Sequence, residues 1–83
     1  SSSLADVNIG HLNITEALIE VKGEPVTAEE IIAELDLPED ILPEIKVLSL
    51  ERRLFADERF RRVETGNGVR WFLARLLPEA VAK

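Results

Sequence analysis

Gly66-Asn67-Gly68 sits between two stretches that alternate in character, Arg59 to Thr65 and Val69 to Leu73. Glycine and asparagine are the residues that reach the positive φ angles of tight turns at low cost. In an extended chain, successive side chains point to opposite faces. The segment therefore reads as a β-hairpin. On its second strand Val69, Trp71 and Leu73 share one face, with Arg70 and Phe72 on the other. On its first strand Arg61, Val63 and Thr65 share a face, which is expected to lie on the Trp71 side. Ala74 to Val81 forms a terminal extension interrupted by Pro78.

Three helical segments precede the hairpin. Val7 to Leu12 alternates apolar and polar residues and reads as a short strand or an ordered lead-in. Asn13 is a candidate N-cap with Glu16 three residues on, and Ile14, Ala17, Leu18 and Val21 form one apolar stripe that ends at Gly23. Glu24-Pro25-Val26 is a break. Thr27-Ala28-Glu29-Glu30 supplies a capping box for a second, short helix from Ala28 to Leu35, with Ile31, Ile32 and Leu35 inward. A third helix begins between Pro38 and Pro43, where proline is tolerated in a first turn, and runs to Phe55 or Ala56. At 100° per residue it carries two apolar stripes. Ile41, Ile45, Leu48 and Phe55 make one, Val47, Leu50 and Leu54 the other, with Lys46, Ser49 and Arg53 on a polar side. The first stripe is expected to face the core, leaving Val47, Leu50 and Leu54 as candidates for a partner interface. The core expected from the whole pattern comprises Leu18, Ile31, Leu48, Phe60, Val63, Trp71 and Leu73.

With 83 residues the chain has room for one hydrophobic core. Residues 7–83 are assigned to a single domain and residues 1–6 to a linker or tag remnant, the whole reading as a fragment of a longer chain. Cysteine is absent, so neither a disulfide framework nor a thiolate zinc site is available, and a reducing, cytoplasmic setting is expected. No apolar run approaches the roughly 20 residues of a membrane-spanning helix. His11 is the sole histidine and has no partners at metal-ligand spacing, so neither metal nor cofactor is expected. A phosphate-cradling glycine loop, a Ser–His–Asp set and a nucleophilic thiol are all missing, which argues against an enzyme.

Charge is unevenly placed on this acidic chain, whose formal net charge is -6. Glu16 to Glu51 holds eleven acids against two lysines, whereas Arg52 to Arg75 holds seven arginines against three acids. An acidic body is a poor footprint for non-specific nucleic-acid binding, which depends on neutralising phosphates. A local basic face suits an acidic protein surface as well as a phosphate backbone.

Three helices followed by a hairpin is the order of a winged helix, an α+β variant of the helix-turn-helix. Leu50, Leu54, Asp57-Glu58-Arg59-Phe60-Arg61-Arg62-Val63 and Val69-Arg70-Trp71-Phe72-Leu73 resemble the carboxy-terminal half of the HARE-HTH winged helices. The likeness is greatest to the amino-terminal domain of the bacterial RNA polymerase delta subunit. That family has an Asp-x-Arg-Phe turn after its third helix, a Gly- or Asn-containing wing turn and a returning Trp-x-Leu. Upstream, Ile14 to Val21, the Gly-Glu-Pro break and Thr27 to Ile31 resemble its first two helices, so the likeness spans Asn13 to Pro78. It differs in a longer wing turn flanked by arginines. The resemblance implies an accessory module in transcription or chromatin proteins whose ligand is protein, RNA polymerase above all, or DNA.

In such a fold, ligand contacts come from the exposed side of the third helix and from the wing. Lys46, Ser49, Arg53, Arg61, Arg62 and Arg70 are then the candidates for contact with nucleic acid or an acidic partner. Phe72 joins Val47, Leu50 and Leu54 as a candidate apolar contact. Three functions follow: a transcription-associated module that docks on protein (RNA polymerase or a fused domain), a DNA-binding winged helix, and a homodimerisation module. Docking on protein is the preferred reading.

Overall fold

The computed structural model describes residues 5–77. Helix α1 spans Ile9–Lys22, α2 spans Ala28–Ala33 and α3 spans Pro43–Ala56; strands β1 (Phe60–Thr65) and β2 (Gly68–Leu73) follow, then one 3₁₀ turn at Ala74–Leu76. The strands pair antiparallel, from Phe60 opposite Leu73 to Thr65 opposite Gly68. Three helices followed by a two-stranded hairpin make this an α+β, winged-helix-like arrangement.

The break before α2 is also part of the sheet. Val26 N–H donates to the Trp71 carbonyl at 2.9 Å, and Trp71 N–H returns a bond to the Val26 carbonyl at 2.7 Å. Val26 thus acts as a one-residue third strand on the outer edge of β2. That edge would otherwise leave backbone groups unpaired.

Helix α1 starts earlier than its sequence suggests. Asn8, not Asn13, is the N-cap: its Oδ1 accepts from the His11 N–H, and the Asn8 N–H donates to His11 Nδ1, both at 3.1 Å. Histidine here takes the place of the usual Glu or Gln of a capping box, which accounts for the solitary His11. Of Val7 to Leu12, buried Val7 and the cap Asn8 are an ordered lead-in, Ile9 onward is helix, and none of it is strand. The buried stripe is Leu12, Thr15 and Ile19, while Ile14 and Val21 are exposed and Leu18 is half-buried. Thr15 breaks the apolar pattern of the true inner face, but its hydroxyl is satisfied by the His11 carbonyl at 2.9 Å. Gly23, at φ +70°, closes the helix by donating to the Ile19 carbonyl.

The two stripes of α3 are exchanged relative to expectation. Leu50 and Leu54 are fully buried and Val47 packs against the core, so these three are not a partner surface. Leu48 and Phe55 instead face outward, 49% and 79% exposed. Leu48 is thus removed from the core. The sequence offers two apolar stripes of similar quality, and the packing of α3 against α2 and β1 selects between them.

The core also takes in Val7, Val26, Ile31, Leu35, Leu37, Phe60, Trp71, Phe72 and Leu73. Phe72 is buried, so it is no exposed contact. Val63 packs partly against the core. It pairs with Arg70 and shares that face with Phe72, rather than lying on the Trp71 side. Ala5, placed in the linker by sequence, is buried, and its N–H donates to Ser49 Oγ at 2.9 Å. Pro78 to Lys83, including the end of the expected extension, lie outside the described residues.

Candidate functional site

The turn after α3 is built by the Asp57-Glu58-Arg59-Phe60 sequence. Asp57 Oδ1 accepts from the Arg59 backbone N–H at 2.9 Å and from Arg59 Nε at 3.1 Å, and its Oδ2 accepts from Nη2 at 2.9 Å. Arg59 Nη1 also reaches α1, donating to Asn13 Oδ1 at 2.8 Å and Glu16 Oε1 at 3.0 Å. The guanidinium lies 5.3 Å from the ring centre of Phe60, itself buried in the core. The hydrogen bonds from the Arg59 guanidinium, joined by the one from its backbone N–H, hold the Asp57 carboxyl below the usual carboxylate range. Asp57 in turn raises Arg59 further. This motif locks the α3–β1 corner to α1. Its role is structural.

Most of the clustered arginines are committed in the same way. Arg75 reaches Glu20 at 2.9 Å and Glu16 at 3.6 Å, and Arg70 reaches Glu30 at 3.5 Å. Arg62 pairs with Glu64 at 2.7 Å, two residues along its own strand. Arg61 donates to the carbonyls of Glu58 and Phe60. Ser49 is not on the surface at all: its hydroxyl donates to the Ile45 carbonyl at 2.7 Å and accepts from Ala5, tying the N-terminal segment to α3.

The six predicted contact residues therefore do not converge. Ser49 is buried, Arg70 is half-buried against α2, and Arg61 lies on the opposite face of the hairpin from Arg62, as the pairing register requires. Among the described residues, Lys46, Arg52, Arg53 and Arg61 have no carboxylate within 4.0 Å.

One surface does combine features that the sequence pattern placed apart. Leu48, Arg52 and Phe55 follow one another along the outer face of α3 at spacings of four and three. Between that face and the wing lies an open cleft of about 300 Å³ lined by Glu51, Arg52, Phe55, Arg62 and Trp71. Trp71 is almost wholly buried but presents its indole N–H here, donating to Glu51 Oε2 at 3.3 Å. Arg52 and Glu51 were not singled out from sequence. The usable signal was the four-residue step from Leu48 to Arg52, once Leu48 is known to face out.

A second apolar cleft, about 280 Å³, lies on α1 among Ile14, Ala17, Leu18 and Val21, bounded by Glu34. Among the described residues no group of three or more His, Cys, Asp or Glu side chains is placed to hold a metal ion. No helix among them is long and apolar enough to cross a membrane.

Comparison with protein-family models, curated proteins and solved structures finds no match to this chain.

Proposed function

We propose that this chain is a non-enzymatic, transcription-associated winged-helix module that acts through protein–protein contact. Its partner is RNA polymerase or a neighbouring domain of the same chain, and its contact surface is the outer face of α3. The observation that carries the reading is the character of that face. In a duplex-reading winged helix this surface meets base edges and phosphates and needs hydrogen-bond donors. Here Leu48 and Phe55 flank Arg52 along that face, and exposed apolar and aromatic side chains beside an arginine are the composition of protein-interface cores. Of the cations that a DNA contact would use, Arg70 is paired with Glu30 and Arg62 with Glu64.

One observation favours the DNA-binding alternative: among the described residues, Lys46, Arg52 and Arg53 lie on α3 with no carboxylate within 4.0 Å. A photo-crosslinking residue at position 55 separates the two readings. Presented together with bacterial RNA polymerase and duplex DNA, it is expected to form its adduct with a polymerase subunit. An adduct with DNA alone reverses the assignment.

A further inference from the structure

We infer that the cleft between α3 and the wing binds an acidic peptide segment bearing an apolar side chain, with Phe55 as the apolar contact and Arg52 and Arg62 as the charged clamp. This deepens the docking reading above and rests on it.

The charge inside the cleft fixes the chemistry of the occupant. Arg52 and Arg62 line it with one acidic residue, Glu51, whose carboxylate already accepts from the Trp71 indole. Arg52 has no carboxylate within 4.0 Å among the described residues. The carboxylate paired with Arg62 belongs to Glu64, whose side chain is 71% exposed. Exposed pairs of this kind contribute little, so exchanging Glu64 for an incoming carboxylate costs little. Guanidinium groups bind carboxylates through paired N–H donors, which gives direction as well as attraction.

The apolar part of the cleft fixes the second requirement. Phe55 is largely exposed and lines the cleft together with Trp71, whose side chain is held in the core. The volume is at the low end of the ~300–1,000 Å³ range of ligand pockets, enough for an anchoring side chain rather than a whole small molecule. An acidic segment with one leucine or phenylalanine satisfies both requirements. A polyanion without an apolar group satisfies only the first.

Trp71 is the only tryptophan and lines the cleft, so its fluorescence reports occupancy directly. The probe is a synthetic peptide of aspartates flanking two leucines. Its controls are the same peptide with lysine for aspartate, one with serine for leucine, and random-sequence duplex DNA. The acidic leucine peptide is expected to shift the emission saturably and to weaken as salt rises. Arg52→Glu and Arg62→Glu each reduce affinity about tenfold, because reversal turns an attraction into a repulsion of similar size. Phe55→Ser reduces it as well, and being exposed should leave the urea midpoint in place. Glu51→Gln keeps an acceptor for the indole while removing the competing charge, so affinity should rise several-fold. A role confined to folding predicts no such gain.

If neither acidic nor basic peptide shifts Trp71 below millimolar, yet Phe55→Glu still abolishes binding to RNA polymerase, the inference fails and the docking reading stands. If duplex DNA binds with the same sensitivity to Arg52 and Arg62 and the peptide does not, both fail. Concentration-dependent self-association lost in Phe55→Glu assigns the cleft to a second copy and overturns the peptide. Equal binding of the serine peptide removes the apolar requirement and overturns the inference in this form.

Discussion

Arg59 is the side chain whose loss should be felt furthest from its own position. It joins the α3–β1 corner to Asn13 and Glu16 on α1, and it stacks on a core phenylalanine. Its side chain is 29% exposed, so solvent weakens but does not abolish these charge-assisted bonds. Arg59→Ala is expected to lower unfolding stability by about 1–2 kcal/mol in urea denaturation. The same corner sets part of the acid profile. Asp57 is held low by the Arg59 guanidinium and backbone N–H, and Glu30 chiefly by its bond from the Thr27 backbone N–H. A carboxyl lowered by folding adds stability that is present above its unfolded value and lost as pH falls through its folded one. Stability should therefore fall below about pH 4, the ordinary aspartate value, as both groups take up protons. Asp57→Asn should flatten that fall without abolishing it, because Glu30 still titrates in the capping box. Urea midpoints measured from neutral to acid pH check this.

At the scale of the element, α3 separates packing from contact within one turn of helix. Leu54 is fully buried and its neighbour Phe55 is largely exposed. Leu54→Ala should destabilise by about 2–5 kcal/mol, whereas Phe55→Ala should stay within about 0.5 kcal/mol of the wild type. Chemical denaturation of the two variants side by side decides whether the helix is oriented as described. The element boundaries of α2, α3 and the hairpin were legible in the sequence because their signals are local: a Thr-x-x-Glu box, prolines before a helix, and a Gly-Asn-Gly turn with period-two flanks. The faces were not. Helix α1 hides its core stripe behind a buried threonine, and α3 offers two aliphatic stripes, so orientation depends on contacts distant in sequence. Ser49 shows the same limit. A serine on a polar helix side looks like surface until Ala5 closes over it. Val26 looks like part of a break in the sequence, since one residue of strand carries no period.

For the whole molecule, the distribution of charge answers why an acidic chain gathers arginines around one hairpin. Arg59 and Arg75 reach Glu16, Arg75 also reaches Glu20, and Arg70 reaches Glu30. The basic hairpin and acidic helices are halves of one set of pairs that fastens the sheet to α1 and α2. Each exposed pair contributes about 0–1 kcal/mol, so together they orient the hairpin more than they stabilise it. Among the described residues, the cations with no carboxylate within 4.0 Å are Arg61 on the wing and Lys46, Arg52 and Arg53 on α3, and Arg52 lines the cleft with Phe55. The candidate site became visible only at this scale. The cations are legible in the sequence; which of them are already paired is not, because their partners lie far along the chain.

The central claim, that the α3 face meets protein rather than phosphate, is tested most directly by titrating the chain with random-sequence duplex DNA at low salt, about 50 mM, while following Trp71 fluorescence and sedimentation. The account predicts no association tighter than roughly millimolar, below the usual ~10⁻⁴–10⁻⁶ M range of non-specific DNA binders. Micromolar binding that fades steeply by about 200 mM salt, and that Arg52→Glu and Arg53→Glu both weaken, would contradict it and make α3 a phosphate-contacting helix.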